Sequence, residues 1–384
     1  MTGAVAPENA ATAPQERGGR GCVVALVLMV TITAAPAWPP TFALVAGLVR
    51  LMLPVEQFAL LVLVSIAACA IVGWWSGGRL LFALAWVGLA AMVVWFVPLP
   101  IQGYGAFVRG WALALGAAFG LVCLATGARP FLGRALAAVA LAGAVSVAGL
   151  ATRAPVDTGS FDEATRMLAT EYQRRLGESL TGWHNRTESG AWQTFSRQMP
   201  EAAARADRMA TVLTALGDAR GDARGDARQP SPGGPLLLLS PTLLALESLL
   251  ALGLGWAAYH RLSRVRIGPP LGQLRDLRFN DQLIWGLVVG VTLLLLPTLS
   301  EWRTPGANFV CFFGTLYALR GAGVLTWWIP DRIAVVALLA LLILIPLLGP
   351  VWVLAVVLAT TFGLGLGDTW RDFRVGTRRP SSLP

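Results

Sequence analysis

The sequence predicts an all-α polytopic transmembrane bundle of about ten spans with a small helical extramembrane segment. Only 13 % of its 384 residues are charged, whereas 55 % are hydrophobic, and the mean hydropathy is +0.63. A soluble domain carries about 25 % charged residues, so this chain cannot cover a water-facing surface in the usual way. The apolar residues also run in blocks of about 20, the length that crosses a bilayer. A soluble enzyme, a nucleic-acid-binding domain and a disordered protein are excluded for the chain as a whole.

The distribution of arginine predicts the orientation of the bundle. All 30 basic residues are Arg, against 21 acidic residues, which gives a net charge of +9. The loop 261–278 alone holds five Arg and one Asp. Because cytoplasmic loops of membrane proteins are rich in basic residues, this loop is expected in the cytoplasm. We therefore expect a multi-pass protein of the bacterial cytoplasmic (inner) membrane with both termini inside, surrounded by lipid and without a nucleic-acid partner.

Apolar blocks and polar interruptions divide the chain into five regions. They are a disordered cytoplasmic tail (1–21), an N-terminal transmembrane bundle (22–152), an extracytoplasmic helical segment with a linker (153–234), a C-terminal transmembrane bundle (235–374) and a cytoplasmic tail (375–384). The predicted spans after the first are 57–76, 80–98, 104–127, 131–151, 236–260, 282–300, 305–328, 333–348 and 350–367.

Two stretches leave alternatives open. Residues 22–53 are interrupted by Pro36–Pro40 and are interpreted as one broken crossing, with two crossings or a cleaved signal as alternatives. Residues 333–348 and 350–367 are two crossings or one broken pair.

The polar segment 153–234 carries 11 Arg and 11 acidic residues, so its own charge favours neither side of the membrane. Apolar residues recur at helical spacing within 161–176 and again within 199–216, which predicts two helices. The segment is either a small cap on the membrane domain or a lid that recruits a ligand.

Two ionisable residues lie inside predicted spans, Glu247 and Arg320. A charge in a span costs about 2.5–3.5 kcal/mol on insertion scales, which makes it a functional candidate. A count at 1.5 Å per residue places the two at similar depths. They are predicted either to form a structural ion pair or to line a substrate or proton-coupled site, together with Asn308 and Tyr317.

Other chemistry is scarce in this sequence. Only two histidines are present, and we find no metal-ligand spacing, phosphate-binding loop or catalytic motif. The sequence therefore predicts neither an enzyme nor a bound metal or cofactor. Glycine pairs at Gly116/Gly120, Gly286/Gly290 and Gly363/Gly367 have the spacing of helix-packing contacts.

The end of the last predicted span carries the most distinctive motif, residues 365–374, with the sequence GLGDTWRDFR. Asp368 and Asp372 are spaced to share one helix face and could hold a cation, but docking on the basic loop 261–278 is the favoured interpretation. Trp370 is expected to anchor the helix at the interface, and Arg374 closes the motif.

This motif, with residues 277–281 (LRFND) and 316–321 (LYALRG), resembles the YybS-type family of bacterial integral membrane proteins, a domain-of-unknown-function family. The resemblance implies a polytopic fold but no activity. In hydropathy the chain is also similar to the substrate-binding S components of energy-coupling-factor importers. That similarity implies a small-molecule ligand and a separate energising ATPase module.

Two functions fit these observations best, and a membrane-embedded enzyme acting on a lipid-linked substrate is a third, less favoured alternative. The first is a small-molecule or ion transporter, or a substrate-binding membrane subunit. The second is a non-catalytic scaffold for cell-envelope or division proteins.

Overall fold

The computed structural model is all-helical throughout the residues that it describes, which confirms the predicted class. Those residues are 55–96, 103–126, 129–153, 239–263, 265–328, 351–371 and 373–374, with most of 180–201 and scattered positions between 171 and 211. The α-helices are α1 (Val55–Trp75), α2 (Leu80–Phe96), α3 (Tyr104–Ala125), α4 (Phe131–Arg153), α5 (Gly190–Gln198), α6 (Ser240–Leu262), α7 (Ile284–Leu295), α8 (Arg303–Trp328) and α9 (Val351–Trp370).

Five helical stretches within this part of the chain are long and apolar enough to cross a membrane. They are Gln57–Trp75, Tyr104–Ala125, Phe131–Gly149, Ser240–Leu262 and Pro297–Trp328. Helices α2 and α7 are apolar but shorter. Helix α7 ends before Pro297, which cannot donate a backbone hydrogen bond and begins the 3-10 turn Pro297–Trp302. The predicted total of about ten spans is not confirmed, and two of them, 22–53 and 333–348, lie outside the described residues.

One apolar core joins α1, α2, α3, α4 and α6. Leu60 and Leu61 of α1, Phe119 of α3 and Trp256 of α6 are all 0 % exposed within it. Helix α1 is central, since it packs against α2, α3 and α6. Conversely, many outward-facing apolar side chains are exposed, as on a lipid-facing surface.

Helices α8 and α9 approach each other closely, through glycine. A Cβ added to Gly321 would overlap the carbonyl oxygen of Thr361, and one added to Gly365 would overlap that of Tyr317. Each helix thus places a glycine against the backbone of the other. The predicted pair Gly363/Gly367 is wrong here, because Gly363 meets no described neighbour within 4 Å.

The other two glycine pairs have mixed outcomes. Gly286 and Gly290 of α7 both lie directly against α8, so this prediction is confirmed. Gly116 of α3 packs against Val64 of α1, but Gly120 meets no described atom within 4 Å. Spacing alone does not reveal which turn of a helix faces a neighbour.

Residues 265–281 cross one end of the bundle, here named the loop end. The hydroxyl of Tyr259 on α6 donates to the carbonyl of Val265 (2.9 Å). Gly323, near the end of α8, lies against the carbonyl of Leu274. Helices α1, α3, α6, α8 and α9 end here, and α2, α4 and α7 begin here.

The polar segment contains a small aromatic cluster around α5. Trp192 is 7 % exposed and lies 4.9 Å from Trp183 and 5.5 Å from Phe195, between ring centroids. Ser189 caps α5 by accepting a hydrogen bond from the backbone N–H of Trp192. Helix α5 lies between the two helices predicted from the sequence, which fall largely outside the described residues.

Candidate functional site

Glu247 lies in a chain of hydrogen bonds that joins three helices. Its side chain is buried, and its Oε2 accepts a hydrogen bond from Nε2 of Gln57 on α1 (2.7 Å). The Oε1 of Gln57 accepts in turn from the hydroxyl of Tyr104 on α3 (2.6 Å). We name Glu247, Gln57 and Tyr104 the Glu247 network. Gln57 is only 2 % exposed, and a buried polar group without such bonds would be costly.

The Glu247 network lies toward the end of the bundle opposite the loop end. Gln57 is in the first turn of α1 and Tyr104 is the first residue of α3. Glu247 is seven residues into α6, which at 1.5 Å per residue is about 10 Å from its start. The carboxylate is therefore about two turns from the start of α6, level with the first turns of α1 and α3.

Asn308 joins the start of α6 to α8. Its Oδ1 accepts hydrogen bonds from the backbone N–H of Thr242 (3.1 Å) and from the hydroxyl of Thr242 (2.8 Å). The first N–H groups of a helix have no partner within it, and Leu239, the residue before α6, provides no side-chain cap. Asn308 thus caps α6 from a neighbouring helix, and its role in the fold is to fix their register.

The predicted ion pair between Glu247 and Arg320 is wrong. Arg320 is bonded to Asp368 and Asp281, and Glu247 to Gln57. The contact of Thr242 with Asn308 accounts for the separation. Glu247 is five residues beyond Thr242, whereas Arg320 is twelve beyond Asn308, and the difference of seven residues is about 10 Å along the helix. Each charge is therefore satisfied by nearer partners.

Arg320 is the centre of a buried ionic cluster at the loop end. Its Nε donates to Oδ2 of Asp368 (2.9 Å) and its Nη2 to the carbonyl oxygen of Asp368 (2.9 Å). Its Nη1 donates to Oδ1 of Asp281 (2.7 Å). Arg374 approaches the same Oδ2 of Asp368 at 3.3 Å. We name these four residues the Arg320 cluster; two arginines and two aspartates make it neutral.

Burial differs sharply within the Arg320 cluster. The side chains of Asp368, Arg374 and Arg320 are 1 %, 2 % and 6 % exposed, whereas that of Asp281 is 59 % exposed. Buried ions need partners and hydrogen bonds to offset their lost hydration. Asp368 provides a charged partner for two arginines at once. Asp281 is the member of the cluster that is exposed to the surroundings.

Tyr317 belongs to the surroundings of the Arg320 cluster. Its side chain is 0 % exposed and packs edge-on against Phe279, with ring centroids 5.2 Å apart. The guanidinium of Arg320 lies 5.4 Å from the centroid of the same Phe279 ring, within cation–π range. The four predicted site residues are therefore divided by their contacts among three places: the Glu247 network, the Asn308 cap and the Arg320 cluster.

The C-terminal motif meets the basic loop through one residue in particular. Arg374 Nη1 donates to the carbonyl of Arg275 (2.7 Å), and both its Nη atoms lie 3.2 Å from the carbonyl of Leu277. This contact uses backbone oxygens of the loop rather than its arginines. Trp370 is 71 % exposed, as an interfacial anchor would be. Asp372 lies outside the described residues.

Sequence reasoning missed a buried cation outside the Arg320 cluster, Arg134. Its position at a helix start predicts one more loop arginine, but it is 0 % exposed. Its Nη1 donates to the carbonyl of Ile267 (3.0 Å), and its guanidinium lies 5.3 Å from the centroid of Trp256. Gly268 has φ +151°, and a Cβ there would lie 2.6 Å from Nη1 of Arg134. His260 contacts the carbonyl of Gly268 (3.1 Å), so Arg134 and His260 together hold the loop on the bundle.

Sequence reasoning also missed Gln57 and Tyr104. Each stands near the first residue of a predicted span, where a polar side chain is ordinary. Both residues lie at the first turn of their helices, α1 and α3. This shared position could have indicated a contact, because two helices that start side by side bring such side chains together. Within the described ranges, no group of three or more His, Cys, Asp and Glu residues is arranged to hold a metal ion.

Residues 193–368, just under half of the chain, match a family model described as "Predicted membrane protein (DUF2232)". The matched region contains Glu247, Asn308, Arg320 and Asp368. It ends at Asp368 and begins within α5. No curated protein and no solved structure gives a significant match. The chain is thus similar to a predicted membrane protein family, in agreement with its apolar helices.

Proposed function

We propose that this protein is a multi-pass membrane subunit that binds or transports a small molecule or ion, and that Glu247 carries its binding site. The observation that supports this is a buried carboxylate within a long apolar helix, about 10 Å from the start of α6, held by Gln57. An ionisable side chain inside a membrane-spanning helix is costly and is kept mainly where it serves a substrate or ion pathway.

In this proposal, Glu247 supplies the negative charge and Gln57 and Tyr104 set its position. Because these residues come from α6, α1 and α3, binding of a ligand there would also depend on the relative positions of three helices. The Arg320 cluster has a different role, to hold α7, α8 and α9 together. Energy for transport would come from an ion gradient or from a separate ATPase subunit, and no chemical step is assigned to the protein.

The loop end is proposed to face the cytoplasm of a bacterial cell. Exposed arginines concentrate there, at positions 79, 129, 261, 266, 278 and 371. The opposite end has exposed Arg303 beside exposed Glu301. Positive charge on one side favours that side as cytoplasmic, with the termini there as well.

Ligand-dependent thermal stability of the purified full-length protein tests the binding role. The wild type, Glu247→Gln and the matched control Glu301→Gln are screened against metal ions, vitamins, nucleosides and lipids. Glutamine retains an oxygen that can accept from Gln57 but removes the charge. A ligand should stabilise the wild type and the control, with binding at least about tenfold weaker in Glu247→Gln, the loss expected for about 1.4 kcal/mol. Equal binding by all three proteins, or no stabilising compound across the panel, would contradict the proposal.

A non-catalytic scaffold is the second candidate, and the Arg320 cluster favours it. Its buried charges are bonded to one another, as in a fixed structural core. The polar segment 153–234 would then provide a contact surface for envelope proteins. Affinity capture with full-length protein and with this segment deleted distinguishes the two roles. Unchanged partners after deletion would count against a scaffold that uses the segment.

A further inference from the structure

Four arginines lie on or near residues 265–269 at the loop end. They are Arg79, Arg129, Arg261 and Arg266, here named the arginine patch, and each is exposed. Each also has a neighbour, at most three residues away along the chain, that contacts this loop or the end of α6.

Specific contacts bring the four positions together. The ring of Phe82, three residues after Arg79, lies 6.3 Å from the ring of Tyr259, two residues before Arg261. The Tyr259 hydroxyl is bonded to the carbonyl of Val265, the neighbour of Arg266.

Arg129 is brought to the same place by a second contact. It precedes Phe131, whose ring lies 5.6 Å from that of Trp256. The indole N–H of Trp256 donates to the carbonyl of Pro269 (3.2 Å), at the other side of the loop. The patch therefore extends across the starts of α2 and α4 and the end of α6.

The arginine patch lies in stretches of the chain that contain no acidic residue. Neither Asp nor Glu occurs in residues 57–156 or in residues 248–275. These stretches of the chain accordingly carry a net positive charge.

A border of exposed apolar side chains lies next to the arginine patch. Trp75 at the end of α1 is 75 % exposed, Leu81 in α2 is 81 % exposed and Leu262 in α6 is 53 % exposed. Tryptophan at a helix end lies at the level of lipid headgroups. The arginine patch is thus close along the chain to a residue of the headgroup level and to side chains suited to the acyl region.

We propose that the arginine patch binds the headgroups of anionic phospholipids. Arginine presents a planar fork that bonds two phosphate oxygens at once, and a juxtamembrane basic residue attracts an anionic membrane surface. The apolar border favours a lipid over an acidic protein or a nucleic acid, because those partners have no acyl chain to cover it. This inference does not depend on whether the protein transports a ligand.

The test uses full-length protein in nanodiscs of phosphatidylcholine with or without phosphatidylglycerol, and scores lipid retention by native mass spectrometry and thermal stability. Phosphatidylglycerol should bind selectively and stabilise the wild type, with about a fivefold loss of apparent affinity for each Arg→Gln substitution in the patch. The matched control Arg303→Gln, at the opposite end, should bind as the wild type does. Added salt should weaken the effect.

A variant with Lys at all four positions separates loss of charge from loss of folding. It keeps the positive charge and should retain selectivity for phosphatidylglycerol, whereas the Gln variants should lose it. Equal retention of both lipids by the wild type, or unchanged selectivity in the single and combined Gln variants, would overturn the proposal. Equal stabilisation by inorganic phosphate would overturn the lipid assignment in favour of a free-phosphate site.

Discussion

Replacing Asp368 by alanine should be among the most damaging single changes in the C-terminal half. Its carboxylate is 1 % exposed, accepts a hydrogen bond from Arg320 at 2.9 Å and forms an ion pair with Arg374 at 3.3 Å. Removing one partner of a buried pair costs about 3–5 kcal/mol, because a charge is left without compensation. Asp281→Ala removes another partner of Arg320, but that carboxylate is 59 % exposed, so we expect a loss of no more than about 1 kcal/mol.

The assay is unfolding of the purified protein by SDS in mixed micelles, with a double-mutant cycle between Arg320→Leu and Asp368→Leu. Because each single variant leaves a buried charge, the double variant should lose less than the two singles added together. The coupling should fall within about 1–3 kcal/mol. Additive losses, or equal losses for Asp281→Ala and Asp368→Ala, would refute the proposed cluster.

Three further changes test the packing and the caps by the same measurement. Gly321→Ala should force α8 and α9 apart and cost at least about 1–3 kcal/mol, whereas the control Gly363→Ala should be near neutral; similar results for both would contradict the glycine contact. Asn308→Ala should cost about 1–2 kcal/mol through loss of the cap on α6, and Asn308→Asp, which retains the acceptor, should recover part of it. Gly268→Ala combines a left-handed φ with a Cβ against Arg134 and should cost more than about 1 kcal/mol; a neutral result would show that the loop is not held there.

The positions of the helices were largely predictable from the sequence, but the helices that pack against one another were not. The predicted span 104–127 compares with α3 at Tyr104–Ala125, and 305–328 compares with α8 at Arg303–Trp328. Apolar block length sets these limits, because a helix continues until polar residues, Gly or Pro interrupt it. The same residues say little about which helix faces which, since almost every face of an apolar helix is hydrophobic.

Glu247 and Arg320 illustrate this difference. The free-energy cost of placing a charge inside a membrane span identified both residues as unusual, and the structure buries both. Depth counted from predicted ends suggested a pair, but the register set by Asn308 separates them by about 10 Å. The burial of Arg134 was likewise not predictable, because the sequence does not distinguish a buried from an exposed arginine at a helix start.

Low charge and long apolar blocks by themselves determined an all-helical protein with several helices able to cross a membrane. Backbone groups in an apolar medium must be hydrogen-bonded without water, and an apolar block of about 20 residues has the length of a helix that crosses the membrane. Only the tertiary structure decided that Asp368 serves two arginines, that Gln57 holds Glu247, and that residues 265–281 close one end of the bundle. These contacts join positions as many as 190 residues apart, and such partners are chosen by how helices pack, which local sequence does not specify.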